Sequence, residues 1–495
     1  MSERDGENRG EAWTTLDKDL NRISQVEQAT FHVARPMVGL GVALAFIIVA
    51  GLFAALIFGG QPGSAVVIAA AALGAYMAIN IGANDVANNM GPAVGANALT
   101  MGGAIVIAAL FESAGALLAG GDVVSTISKG IIDPTAVADT QVFIWAMMAA
   151  LLSSALWVNL ATWIGAPVST THSVVGGVMG AGISAAGFAT VNWGSMGLIA
   201  ASWVISPLLG GLIAAGFLWF IKARIMYQPD KIAAARRWVP VLIGIMMGVF
   251  ATYLAIKGVK KIIHIELPAA LMIGAAFGAL SYAASAPIVR HKAQGLENRN
   301  KSLKVLFGLP LVISAALLSF AHGANDVANA VGPLAAIVHA NAVGEFAGKV
   351  NIPHWVMVIG AFGISFGLIL FGPKLIRMVG SQITKLNPMR AYCVALSAAI
   401  TVIVASWLGL PVSSTHIAVG GVFGVGFFRE WYHEKRLDQA ARSKKSQRIA
   451  AEERRRRKLV RRSHFMTIVA AWIITVPAAA LLSAAVFWGL SHLAG

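Results

Sequence analysis

Eleven long apolar runs constrain this chain most, because each is about as long as a lipid bilayer is thick. Lipid offers the backbone no hydrogen-bond partner, so each run must satisfy its own N–H and C=O groups as a helix. Only 12% of the 495 residues are charged, and the mean hydropathy is +0.73. The sequence therefore predicts an all-α polytopic membrane protein. The runs are Gly39–Phe58, Ser64–Ile79, Met101–Gly120, Val142–Trp163, Ser195–Ile221, Trp238–Ile256, Leu267–Val289, Val305–Phe320, Trp355–Phe371, Arg390–Leu408 and Thr467–Leu490.

The net charge of +16 is concentrated between the apolar runs. A basic chain can bind nucleic acid, but Lys and Arg in loops between membrane spans follow the positive-inside rule, which places those loops in the cytoplasm. We therefore expect the lipid bilayer as the partner, no nucleic acid, and a cytoplasmic amino terminus. The basic segments are Lys222–Arg237, Arg290–Lys304, Lys374–Arg390 and Arg429–Arg462.

Two motifs occur twice, in the same order. "IGANDVANNMGPAVG" begins at Ile81 and "HGANDVANAVGPLAA" at His322, while "WIGAPVSTTHSVVGGVMGAG" begins at Trp163 and "WLGLPVSSTHIAVGGVFGVG" at Trp407. The copies are separated by 241 and 244 residues. Recurrence of both motifs at nearly the same separation predicts two structural repeats.

The basic segments also indicate how the repeats are oriented. If PVSTTH and PVSSTH are the tips of re-entrant hairpins, all four basic segments lie on one side of the membrane. Five crossings then separate the GANDVAN motifs, and an odd number gives the repeats opposite orientations. The sequence thus predicts an inverted-repeat secondary transporter with two re-entrant helical hairpins and broken helices. The loop Lys257–Glu266, with three lysines on the predicted outer side, departs from this pattern.

This organisation divides the chain into seven segments. The first segment has Trp13, Leu16, Leu20 and Ile23 at helical spacing, which predicts a helix at the membrane surface. The expected segments are a cytoplasmic segment with that helix (1–37), an extra span (38–60), the first transport repeat (64–220), a linker with two spans (221–304), the second, inverted repeat (305–428), a basic cytoplasmic segment (429–465) and a final span (466–495).

The hairpin tips have the sequence of helix starts. Pro167 and Pro411 are each followed by small hydroxyl residues, a combination typical of helix amino termini. Unpaired N–H groups and the positive end of the helix dipole favour an oxyanion there. The alternative is that these hydroxyls bond only to their own helices. The candidate anion-binding residues are Ser169, Thr170, Thr171, Ser413, Ser414 and Thr415.

Each GANDVAN copy places a carboxylate and carboxamides on one helix face, because residues three and four apart are neighbours. An intramembrane Asp without a basic neighbour in sequence is a candidate for binding a cation. We take Asp85 and Asp326 as Na⁺ candidates, and expect the glycines and prolines of the motifs to break the helix and free carbonyl ligands. Helix packing is the alternative. The candidate cation-binding residues are Asn84, Asp85, Asn88, Asn325, Asp326 and Asn329.

Other polar residues in the apolar runs carry weaker signals. Glu112 lies in the middle of a run and is a further cation or proton ligand, or a packing residue in a wet cavity. His172 and His416 follow the tips, and we expect them to be structural caps. His322 stands where the first motif has Ile81, so the shared chemistry does not require it.

Together these features predict symport. An anion at two positive helix ends is repelled by two nearby aspartates unless cations lie between them, so each ligand favours binding of the other. A hydrolase with Ser169 or Thr170 as nucleophile and His172 as base is the alternative of another class, but duplication of the whole constellation favours a pathway over one catalytic centre. The aspartates argue against a passive anion channel. We expect no enzyme activity and no cofactor beyond a coupling Na⁺ or H⁺.

These residues resemble the inorganic phosphate transporter (PiT) family, whose hallmark is a duplicated GANDVAN-type sequence, here Gly82–Asn88 and Gly323–Asn329. The likeness extends to both tips and to "FESAG" through "STISKGII". It implies an inverted-repeat transporter with paired re-entrant hairpins that moves inorganic phosphate with sodium ions or protons. It also implies two sets of binding residues. The cations would be bound by Asn84, Asp85, Asn325 and Asp326, and the anion by Ser169, Thr170, Ser413 and Ser414.

The same likeness leaves substrate and coupling partly open. Some family members resemble sulfate permeases. Phosphate near neutral pH keeps protons that Asp85 or Asp326 can accept, which favours phosphate if these side chains touch the anion and does not discriminate if cations shield them. Ala395 stands where animal relatives carry a second intramembrane glutamate, so this chain departs from the family's pair of glutamates. By likeness we expect a bacterial inner membrane, and a homodimer is left open.

Overall fold

The computed structural model describes residues 37–137, 139–164, 168–258, 265–343, 352–382, 386–440 and 462–494, and these ranges contain fifteen α-helices. The helices are α1 Met37–Phe58, α2 Ser64–Gly95, α3 Met101–Ala119, α4 Gly121–Lys129, α5 Thr140–Ile164, α6 Thr170–Ala186, α7 Trp193–Ile221, α8 Lys231–Lys257, α9 Leu267–Lys292, α10 Asn300–Leu306, α11 Gly308–Val343, α12 His354–Gln382, α13 Pro388–Trp407, α14 Ser414–Ala440 and α15 Arg462–Ala494.

The all-α polytopic class is confirmed. Eleven helices in the described ranges are long and apolar enough to cross a membrane, and they fall on the predicted runs. Two predicted segments lie mostly outside the described residues: the surface helix in residues 1–37 and the basic segment 429–465. Both stay predictions.

Helices of the first repeat pack on helices of the second repeat and on the final span. α2 packs on α12, α3 on α11 and α7 on α14, while α6 packs on α15, which follows the predicted second repeat. The α2–α12 and α3–α11 contacts exchange with each other when the two repeats are exchanged, and the α6–α15 and α7–α14 contacts do so when α15 is counted with the second repeat. The linker helices α8 and α9 pack chiefly on each other.

The motif helices α2 and α11 run antiparallel. The start of α2 lies beside the end of α11, where the Asn341 amide donates to the Pro62 carbonyl at 3.3 Å. The end of α2 and the start of α11 line one cavity at the opposite end. Antiparallel motif helices are what an inverted duplication requires, and the inversion itself stays a prediction.

Two helix pairs fold back on themselves. α5 and α6 pack together, and the loops at their outer ends are joined where Asp133 N–H donates to the Thr190 carbonyl at 2.7 Å. α13 and α14 form the equivalent hairpin, with a turn at residues 408–413. That these hairpins enter the bilayer without crossing it stays a prediction, since α5 and α13 are long enough to cross.

The expected helix breaks within the GANDVAN motifs are wrong. α2 is continuous from Ser64 to Gly95 with Pro92 inside it, and α11 continues through Pro333. The motif glycines serve close packing instead: a methyl group on Gly82 would overlap the Ile364 carbonyl of α12. The prolines still lack an N–H, so one carbonyl in each helix loses its usual partner without a break.

Close helix crossings at glycine set the spacing of the two repeats. A methyl group on Gly115 of α3 would overlap the carbonyl of Phe320, and one on Gly367 of α12 would overlap the carbonyl of Ile79. Phe320 and Ile79 are equivalent positions of the duplicated motif helices. The same backbone-to-backbone contact therefore occurs twice.

We predict that Gly115→Ala and Gly367→Ala each lower the apparent stability by about 1–3 kcal/mol, because backbone atoms cannot rotate away from the added methyl group. Thermal unfolding in detergent measures the effect. Gly216→Ala on α7 is the matched control, since nothing lies within 4 Å of its added methyl group. Equal unfolding temperatures for all three variants would contradict the proposed crossings.

Candidate functional site

The two motif aspartates lie at the centre of the bundle. Asp85 on α2 and Asp326 on α11 are each 1% exposed. The continuous helices carry them there because the motif turns its polar face toward the two hairpin tips. The structure thus brings together the two groups that the sequence identified separately, the acid-amide motifs and the tips.

Each aspartate accepts hydrogen bonds from both hairpins. Asp85 accepts from Thr170 of the first tip and from Thr415 of the second, both at 3.0 Å. Asp326 accepts from Ser414 of the second tip at 3.0 Å and from Thr171 of the first at 3.3 Å. Thr170 corresponds to Ser414 and Thr171 to Thr415 in the duplicated motif, so the two sets of contacts are equivalent.

The carboxamides nearest the aspartates belong to the same clusters. The Asn88 amide donates to the Thr415 hydroxyl at 2.8 Å, and the Asn329 amide donates to the Thr171 hydroxyl at 3.0 Å. Asn329 also donates to Asp326 at 3.2 Å. Each half of the site therefore combines a carboxylate, hydroxyls and a carboxamide.

The remaining motif carboxamides hold the tips. Asn84 donates to the Val168 carbonyl at 3.4 Å. Its counterpart Asn325 donates to the Leu410 carbonyl at 3.2 Å and accepts from the Val412 N–H at the same distance. These two side chains were predicted as cation ligands, and in this structure they fix the backbone of the tips.

Ser169 and Ser413 cap the helices that leave the tips. The Ser169 hydroxyl accepts the His172 N–H at 3.1 Å, and the Ser413 hydroxyl accepts the His416 N–H at 3.3 Å. The expectation that the histidines cap the helices is wrong, because the serine side chains do so. The two imidazole rings pack against each other instead, with centroids 4.5 Å apart.

His322 is the central residue that sequence reasoning missed. It is fully buried, and its Nε2 lies 2.8 Å from Asp326 and 3.8 Å from Asp85. Its Nδ1 lies 3.2 Å from Glu112, which also accepts from the Asn89 amide at 2.9 Å. The available signal was spacing: His322 and Asp326 are four residues apart, so they share a helix face.

The site carries more carboxylates than positive groups. Glu112, Asp85 and Asp326 are all buried, and within the described ranges no Lys or Arg pairs with them. Ligand atoms of Asp85, His322 and Asp326 lie within 4.8 Å of one another. Uncompensated carboxylates are costly in a low-dielectric interior, which makes the centre attractive to a cation. Carboxylate and hydroxyl oxygens fit a hard ion such as Na⁺.

Comparison with known proteins gives consistent matches. A family model described as the phosphate transporter family matches residues 81–483. A Helicobacter pylori protein named "Putative phosphate permease" is 51% identical over 428 residues, covering 86% of this chain and 80% of that protein. A Haemophilus influenzae protein of the same name is 36% identical over 378 residues, covering 74% and 89%. A solved structure named "The sodium-dependent phosphate transporter" matches with a TM-score of 0.78 at 35% identity, covering 86% of this chain and 99% of its own.

We predict that Thr171→Val and Thr415→Val each lower stability by about 1–3 kcal/mol, because each removes a buried hydroxyl that donates to an aspartate and accepts from a motif amide. Unfolding temperature in detergent is the measurement. Thr162→Val is the control, since that hydroxyl donates within its own helix, to the Val158 carbonyl 2.8 Å away. A loss no larger than the control's for either variant would contradict the paired arrangement.

Proposed function

This chain belongs to the phosphate transporter family, and on that premise we propose that it carries inorganic phosphate across the membrane together with sodium ions. One observation supports this most: each buried aspartate is held by hydroxyls from both hairpin tips. A site built equally from two antiparallel halves suits a substrate that must be reached from both sides.

We assign the cations to the two equivalent clusters. One consists of Asp85, Thr415 and Asn88, and the other of Asp326 and Thr171 with Asn329. A sodium ion in either cluster would replace the hydroxyl-to-carboxylate hydrogen bond with direct coordination by the same oxygens. Two like carboxylates in one dry site repel each other, so neutralising one favours the compact arrangement of both.

The anion would bind at the starts of α6 and α14. Both helices begin at a serine cap, and their first N–H groups and Thr170 and Ser414 hydroxyls face the same centre as the aspartates. An oxyanion there is favoured by the helix ends and opposed by the carboxylates. Bound sodium ions reduce the repulsion between the carboxylates and the oxyanion. The affinity for each ligand therefore rises when the other is bound.

Phosphate fits this site better than sulfate. Near neutral pH phosphate keeps at least one proton and can donate it in a hydrogen bond to Asp85 or Asp326, whereas sulfate only accepts. A carboxylate oxygen not coordinated by sodium would face sulfate with no hydrogen bond between the two, which costs binding energy. The name of the matching solved structure supports sodium as the coupling ion for that protein, and proton coupling is the alternative for this chain.

We place the basic loops and the amino terminus in the cytoplasm of a bacterial cell, with the inner membrane as the location. Hairpin tips that meet at the centre would be reached from outside through one repeat and from the cytoplasm through the other. Small movements of one repeat against the other would then expose the same site in turn.

We predict that proteoliposomes take up labelled phosphate when sodium is supplied outside, and take up labelled sulfate poorly. Asp85→Asn combined with Asp326→Asn should abolish the sodium-dependent part, because neutral amides no longer attract the cation. Glu297→Gln, which removes a carboxylate from an exposed ion pair with Arg299, is the control. Sodium-dependent uptake at the control rate in the double variant would refute the cation assignment. Uptake driven by a pH gradient without sodium would indicate proton coupling.

We also predict that His322→Ile, which inserts the residue found at the equivalent Ile81, lowers sodium-dependent phosphate uptake by about tenfold or more, since the buried carboxylates of Glu112 and Asp326 lose the imidazole nitrogens that lie 3.2 Å and 2.8 Å from them. His339→Ile on the same helix is the control. Unchanged uptake in His322→Ile would mean that the shared chemistry of the two motifs is sufficient without the histidine.

A further inference from the structure

The cavity at the end of α2 has a volume of about 690 Å³ and opens where α11 and α13 begin. No residue of the aspartate centre lines it. Gly95 of α2 does, ten residues after Asp85 and roughly 15 Å from it at the helical rise, and Gly308 of α11 does, 18 residues before Asp326 and roughly 27 Å from it. The transport site therefore does not extend into this cavity.

Three cations from three helices line the cavity. They are Lys292 at the end of α9, Lys304 on α10 and Arg390 in the first turn of α13. No Asp or Glu lines it, and among the described residues no carboxylate pairs with any of the three. Like charges gathered without a counterion repel, so the cavity favours an anion.

Arg390 makes the strongest case. Its side chain is half-buried, and the positive charge of Arg429 repels its guanidinium. A partly buried guanidinium without an anionic partner is costly, and its planar fork matches the oxygens of a phosphate group. The lysines add charge that is less directional.

Neutral donors complete the lining. Asn97 lies at the cavity in a left-handed backbone conformation, with φ of 56°. Asn387 caps α13 by accepting the Arg390 N–H at 3.0 Å, and the positive end of that helix faces the same space. The cavity is therefore lined by amide groups, three cationic side chains and the start of a helix.

We propose that this cavity binds a phosphate group on the face of the membrane that carries the basic loops. The group would belong either to an anionic phospholipid, since the cavity lies at the ends of membrane-spanning helices, or to free inorganic phosphate. Both offer the same charged oxygens, and the proposal does not depend on the transport function.

The test compares a cavity variant with a charge-matched control. The cavity variant combines Lys292→Gln, Lys304→Gln and Arg390→Gln. The control combines Arg290→Gln, Lys301→Gln and Lys374→Gln, which removes the same charge from exposed positions on the same predicted side that do not line the cavity. One arm measures retention of phosphatidylglycerol against phosphatidylcholine by native mass spectrometry, and the other measures equilibrium binding of labelled inorganic phosphate.

We expect the cavity variant to weaken binding by about tenfold or more in one arm, because it loses charge-assisted hydrogen bonds, while the control stays close to wild type. The affected arm identifies the source of the phosphate group. Equal behaviour of cavity variant and control in both arms overturns the proposal. Lys304→Glu, at an exposed position, should show the same loss if the triple variant does not fold.

The transport-site variant separates the two proposals. Asp85→Asn with Asp326→Asn should lose sodium-dependent uptake and keep the cavity's binding in the affected arm, because the cavity does not share those residues. Loss of that binding in the aspartate variant would overturn the claim of a separate site. Wild-type protein that binds in the cavity arm but shows no phosphate uptake would contradict the proposed function alone.

Discussion

The cost of placing carboxylates inside a lipid bilayer governs the rest of this structure. Asp85 and Asp326 are buried without Lys or Arg partners in the described ranges, so every nearby polar group must help to stabilise them. Hydroxyls of both tips do so, and the carboxamides of the motif orient those hydroxyls. The same contacts leave the centre with excess negative charge, which is the physical basis of our proposal that it binds cations and, through them, an anion.

These contacts require the two repeats to interpenetrate. Thr171 reaches Asp326, and Thr415 reaches Asp85, only because the helices of one repeat pack on those of the other. Glycines at the crossings allow this approach, since a side chain at Gly82 would strike the α12 backbone. Packing and chemistry are thus coupled: a change in the distance between repeats alters the donors available to each aspartate. Coupling of that kind is what an alternating-access transporter needs.

His322 shows where the duplication is not symmetric. The first motif has Ile81 at this position, and the imidazole links Glu112 of α3 to the Asp326 side of the site. One half of the centre therefore differs chemically from the other, although the hydroxyl contacts are equivalent. The chemistry shared by the two motifs does not require His322, but its burial among three carboxylates makes it part of the centre.

The membrane class, the helical runs and the duplication follow from the order of residues along the chain, because apolar length and repeated motifs are local properties. The sequence also identified both aspartates and the tip hydroxyls, since their residue types are unusual among apolar neighbours. Tertiary structure alone decided that the motif helices stay continuous, that Asn84 and Asn325 hold the tips, and that His322 and Glu112 meet. It alone brought Lys292, Lys304 and Arg390 to one cavity. Such meetings depend on how distant helices pack, and packing is set by the shapes of many side chains together and not by spacing along one helix.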